Sequence, residues 1–93
     1  METSLPQPGE SLLQFPTAFP IKVLGLTRDG FAQAIVTVVR KHAPDFDAAT
    51  LEMRASRRGK YLSLTCIVNA VSRAQLDELY RDLTSQSDVV MVL

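Results

Sequence analysis

Nucleophilic or acid–base catalysis needs a base beside a nucleophile, and this chain offers few choices. His42 is its only histidine and Cys66 its only cysteine. A histidine-activated site would have to centre on His42, with Cys66 or a serine within hydrogen-bond reach. The surrounding pattern argues against it. Cys66 falls on the apolar side of an alternating segment and reads as a small buried hydrophobe, while His42 follows Arg40 and Lys41 where a helix ends and reads as a helix-end cation. No catalytic residue is assigned, and an enzyme is the least favoured class.

Metal chemistry fares no better. One thiol cannot supply the paired thiolates of a structural zinc site. The stretch Gly25-Leu26-Thr27-Arg28-Asp29-Gly30 holds neither Cys nor His for a soft metal. Asp45 and Asp47, a near pair of acids in a loop, gather too few oxygens for a hard cation. Neither metal nor cofactor is expected. What remains is a set of cations, Lys22, Arg54, Arg57, Arg58 and Lys60, the last four clustered within seven residues.

The elements that must position these residues follow from periodicity. Ile21–Leu24, ahead of Gly25, is aliphatic and β-branched and predicts a first strand, entered from the proline-framed Phe15–Pro20. Phe31, Ala34, Ile35, Val38 and His42 recur at helical spacing, with Thr27 or Asp29 as cap and Pro44 as stop. Ala49–Ser56 alternates Leu51, Met53 and Ala55 against Glu52, Arg54 and Ser56, and Arg57-Arg58-Gly59-Lys60 turns it into a hairpin. Tyr61–Ala70 places Leu62, Leu64, Cys66, Val68 and Ala70 on one face. Ser72 with Gln75 forms a capping-box pattern ahead of Leu76, Leu79, Tyr80 and Leu83, and Val89–Leu93 is a last short strand.

Strand, helix, strand, strand, helix, strand is the order of the ferredoxin-like split βαβ repeat, an α+β sandwich of a four-stranded antiparallel sheet with two helices on one face. Strands two and four would be its edges. The fourth lacks charge or proline to blunt it, so it is open to a homodimer through strand pairing unless the Phe15–Pro20 segment or the tail covers it.

At 93 residues the chain is one small domain, and its 46% hydrophobic and 22% charged content suits a folded one. Residues 1–14, with two prolines and a glycine among polar residues, read as a mobile tail, leaving 15–93 as the domain. A formal net charge of 0 excludes a global field toward nucleic acid or an anionic membrane. The N-terminus has no basic, apolar leader and no apolar run nears the length of a bilayer span, so a cytoplasmic location with no membrane contact is expected.

RNA-recognition modules share this element order. Ile21–Leu26 is similar to their first-strand motif and Arg58-Gly59 to the start of their third-strand motif. The positions where such modules stack bases are Lys22, Lys60 and Leu62, so the aromatic platforms are missing, although Tyr61 could present one outward ring. Weak nucleic-acid binding through the basic hairpin is therefore the alternative reading.

Leu13-Gln14-Phe15-Pro16, Phe19-Pro20-Ile21-Lys22-Val23-Leu24-Gly25, Val39-Arg40-Lys41-His42-Ala43-Pro44, Ser56-Arg57-Arg58-Gly59-Lys60-Tyr61, Asn69-Ala70 and Met91-Val92-Leu93 together resemble the YbeD-like family of short uncharacterised bacterial proteins. That resemblance implies an ACT-like fold and a regulatory or sensory module working through a small effector or a protein partner, with a suspected link to lipoate metabolism. It also implies that an effector would approach Thr27, Arg28, Asp29 and Gly30, where the first strand turns into the first helix. The proline common before that glycine in ACT domains is absent here, and a helix cap with a tight turn is the plainer account of the same residues.

Overall fold

A computed structural model describes residues 14–93; the tail expected over 1–14 lies outside the described residues except for Gln14. The elements run β1 (Thr17–Leu26), α1 (Phe31–His42), a 3-10 turn (Ala48–Thr50), β2 (Glu52–Ala55), β3 (Tyr61–Ala70), α2 (Arg73–Thr84) and β4 (Val89–Val92). The strands form one antiparallel sheet in the order β2-β3-β1-β4. This is the expected βαββαβ sandwich, with β2 and β4 at the edges.

The long central pair is β1 and β3, in register from Thr17 opposite Ala70 to Leu26 opposite Tyr61. Directly opposed residues share a face, so Ile21 meets Cys66 and Val23 meets Leu64 on the side covered by the helices. All four are fully buried, together with Ile35 and Val39 of α1 and Leu79 and Leu83 of α2. The alternation read in β3 is therefore the real division between core and open face.

β1 begins four residues earlier than the β-branched run suggested. Thr17–Pro20 pairs with β3 and so does not cover the β4 edge. Pro20 is tolerated because of parity: the Lys22 N–H points toward β4, donating to the Leu93 carbonyl at 3.0 Å, and Pro20, two residues earlier, would point the same way beyond the reach of β4. At its other end β1 shifts register against β4 between Leu24 and Gly25. A Cβ at Gly25 would lie 2.6 Å from Cε1 of Phe31 and 2.7 Å from the Asp88 carbonyl oxygen, so only glycine lets α1 and the α2–β4 turn close over the strand here.

Three local expectations are corrected. The N-cap of α1 is Gly30, left-handed at φ 82° with no side-chain cap, rather than Thr27 or Asp29. The buried stripe of α1 is Phe31, Ile35, Val38 and Val39; Ala34 is exposed, since it lies beside the stripe and its side chain is too short to reach the sheet. Ala48–Thr50 is a 3-10 turn, capped by the Asp47 carboxylate accepting from the Ala49 N–H at 3.0 Å, so β2 is only four residues long. Every residue of β2 is exposed, Met53 by 61%. Its alternation is genuine, but the edge strand extends past the cover of the helices.

Candidate functional site

The two residues that could have supported catalysis lie apart in role. Cys66 is fully buried in β3 beneath the helices, and burial pushes its thiol up to about 11. His42 ends α1 with Nε2 2.9 Å from Asp82 Oδ2 of α2, and the hydrogen bond from His42, helped by the nearby Lys41, holds the Asp82 carboxyl below its usual range against some desolvation. The Gln75 amide donates to the His42 carbonyl at 2.9 Å, so the cluster ties the C-terminus of α1 to both ends of α2. Among the described residues no group of three or more His, Cys, Asp or Glu side chains is placed to hold a metal.

The cations behave differently. Pairing of Lys22 with Thr65, Glu52 with Thr65 and Arg54 with Ser63 sets these residues on the face the helices leave open. Two adjoining shallow depressions lie there. One, of about 560 Å³, is lined by Lys22, Glu52, Arg54, Ser63 and Thr65; the other, of about 520 Å³, adds Leu24, Arg57 and Tyr61. Among the described residues no carboxylate lies within 4 Å of Lys22, Arg54 or Arg57. The groove thus combines three charged donors with the hydroxyls of Ser63 and Thr65, and only Glu52 opposes them.

Arg57 and Arg58 occupy the turn of the hairpin, which Gly59 closes at φ 75°, its N–H donating to the Ser56 carbonyl at 2.9 Å. The Lys60 ammonium stands 5.5 Å over the Tyr61 ring. Of the base-stacking positions considered above, Leu62 sits opposite Gly25 and Ala55 and belongs to the core-facing side, where it packs against the buried cluster. Tyr61 is the ring on the open face, and it is half-buried.

Thr27, Arg28, Asp29 and Gly30 are brought to the same end of the sheet, because the Thr27 N–H donates to the Lys60 carbonyl at 3.0 Å. Arg28, however, is held by Asp88, with Nε 3.0 Å from Oδ1. Space at Gly30 is open, with no atom within 4 Å of a hypothetical Cβ. This juxtaposition of turn and hairpin base was not legible in the sequence, since it depends on the register that sets Leu26 opposite Tyr61.

The opposite end of the central pair carries a third depression, of about 300 Å³, floored by Ala18, Phe46, Ile67 and Val68 and bounded by Asp45, Asp47 and Asn69. Asp45 Oδ2 accepts from the Asn69 amide at 3.3 Å. The exposed loop acids Asp45 and Asp47, too few for a hard cation, thus stand beside an apolar floor.

Comparison with known proteins agrees with this architecture. A solution structure of protein HP0495 from H. pylori superposes with a TM-score of 0.74 at 16% identity, covering 99% of this chain and 98% of that one. A crystal structure of the ACT domain from the GTP pyrophosphokinase of Chlorobium tepidum gives 0.64 at 20% identity, covering 83% and 97%. At such identities the likeness establishes the fold, which is ACT-like. In sequence, a UPF0250 protein of Nitrosomonas europaea is 51% identical over 84 residues, covering 90% of this chain and 97% of the relative. A UPF0250 protein of Ralstonia nicotianae is 49% identical over 92 residues, covering 99% and 95%. The family model described as "Protein of unknown function (DUF493)" matches residues 10–93. The chain accordingly belongs to the DUF493, or UPF0250, family of uncharacterised bacterial proteins, the YbeD family that its sequence resembles.

Proposed function

We propose that this protein is a cytoplasmic regulatory module that works by binding a small anionic ligand on the open face of its sheet rather than by catalysis. The observation that carries the reading is the groove between Lys22, Arg54 and Arg57: three cations without a carboxylate partner among the described residues, flanked by Ser63 and Thr65. Guanidinium groups and hydroxyls together suit carboxylate or phosphate oxygens, and a charge-assisted pair there is stronger than a neutral one. The turn Thr27–Gly30 borders the same end of the sheet, but Asp88 already engages Arg28, which leaves the groove as the better supported site.

The test is an amide-resolved NMR titration with amino acids, lipoate, inorganic pyrophosphate and a single-stranded RNA oligomer. A small anion that shifts Lys22, Arg54, Arg57 and Ser63, and that binds about tenfold more weakly to Arg54→Ala, supports the reading. Shifts confined to Thr27–Gly30 would move the site to the turn. Binding of the RNA alone, with affinity falling steeply in salt, would favour nucleic-acid binding through the β2–β3 hairpin. No response to any probe would defeat the ligand reading.

A further inference from the structure

We propose that the ligand of the open face is an amphipathic anion, with its oxyanion head between Lys22 and Arg54 and its apolar body laid over Leu24, Met91 and Leu93, an assignment that rests on the anion site described above. The pattern shows across the strands rather than along them. Arg54 is opposite Ser63, Ser63 opposite Leu24 and Leu24 opposite Met91, so these four make one row over β2, β3, β1 and β4. In the next row Glu52 is opposite Thr65 and Thr65 opposite Lys22. Lys22 and Leu93 exchange both backbone hydrogen bonds, at 3.0 and 2.8 Å, so they too are directly opposed and Leu93 completes that row.

Both rows change character in the same place. On β2 and β3 they carry charges and hydroxyls; at the β4 edge they carry only Met91 and Leu93, which are 47% and 64% exposed. Lys22 stands at the boundary, with Thr65 on one side and Leu93 on the other. An anion paired with it therefore has hydrogen-bonding groups toward β3 and apolar surface toward β4. Leu24 joins the two halves, since it helps line the groove shared by Lys22, Arg54 and Arg57 and is the direct partner of Met91.

Charge and apolar cover reinforce each other in this layout. Among the residues lining the groove, three cations face only Glu52, which leaves a positive excess for an oxyanion head. An apolar body over Leu24, Met91 and Leu93 removes from water surface that the fold leaves exposed, and it shields the ion pairs of the head from solvent. Lys22 is then covered together with a partner charge rather than alone. Two strand spacings of about 4.8 Å separate Ser63 from Met91, so a body about 10 Å long reaches from groove to edge, whereas a bare phosphate occupies the head position only.

Amide-resolved NMR titration of the full chain with butyl, hexyl and octyl sulfonate, each kept below its micelle-forming concentration, tests this. The three share one head of fixed charge, so affinity should rise about twofold per added methylene, the gain for a methylene half removed from water, or roughly 16-fold from butyl to octyl. Met91→Gln with Leu93→Gln should flatten that gain while leaving butyl sulfonate binding nearly unchanged. Arg54→Ala should weaken all three by a similar factor and keep the gain. Circular dichroism melts check that the variants fold; if the double variant does not, Met91→Ala replaces it and should reduce the gain. Equal affinities for the three sulfonates overturn the proposal and leave the anion site standing. So does a gain that survives the double variant, or one whose shifts centre on Ala18, Ile67 and Val68, which would put the body in the other depression. Octylammonium binding as tightly as octyl sulfonate would remove the anionic head. Binding to vesicles of equimolar phosphatidylglycerol and phosphatidylcholine, with no response to any sulfonate, would assign the face to a membrane surface instead. A response to inorganic pyrophosphate but to no sulfonate overturns this proposal alone, and silence toward every probe, the earlier panel included, defeats the ligand reading as well.

Discussion

Individual residues divide by face and by the space around them. Leu64 is fully buried between the sheet and the helices, whereas its neighbour Ser63 faces the open side. Leu64→Ala should therefore destabilise the fold by about 2–5 kcal/mol in a urea melt, and Ser63→Ala should change it by less than about 0.5 kcal/mol. Equal effects would mean that the strand register is wrong. The two glycines flanking the β1–α1 turn make a second contrast. Gly25→Ala forces its methyl against the Phe31 ring and the Asp88 carbonyl and should cost about 1–3 kcal/mol. Gly30→Ala meets open space, but at φ 82° it should still cost about 1 kcal/mol, through backbone strain alone. Cys66, fully buried and with its thiol pushed up to about 11, should resist thiol reagents until the protein unfolds.

At the scale of elements, the helices are fastened to one another as well as to the sheet. Ser72 caps α2 by accepting from the Gln75 N–H at 3.0 Å, as the capping-box pattern implied. The reciprocal bond differs: Gln75 Oε1 accepts from the Val71 N–H at 2.7 Å, and its amide crosses to the His42 carbonyl of α1. Sequence could show that a cap was present but not that it bridges two helices, because the partner lies 33 residues away. Ser72→Ala should cost about 1 kcal/mol. Asp82 completes the bridge and carries a pH signature. Its folded pKa is lowered, chiefly by the His42 hydrogen bond, so its stabilisation is present above the unfolded carboxylate value of about 3.9 and is lost as pH falls through the lower folded value. Urea melts from neutral pH downward should show Asp82→Asn losing less stability in acid than the parent, and parallel profiles would dismiss the pair as a stabilising contact.

At the scale of the whole molecule, the buried side chains among the described residues form one cluster, drawn mainly from β1, α1, β3 and α2, so fluorescence-independent probes such as far- and near-UV circular dichroism should report a single unfolding transition. Much of that architecture was legible beforehand. Period-two alternation in Tyr61–Ala70 and three-to-four spacing in α1 and α2 are local consequences of which side of each element must leave water, and with the order of elements they determined the sandwich. The same rule misjudged β2, because alternation records a preference for two faces, while burial needs another layer to reach the strand. The candidate site shows the limit more sharply. The sequence by itself named Lys22, Arg54 and Arg57 as cations and Asp45 and Asp47 as acids, within a chain whose formal net charge is 0. Only the tertiary structure placed the first three around one groove and the acids beside an apolar depression at the far end of the central strand pair, because strand pairing joins residues more than 30 positions apart and decides which charges come together.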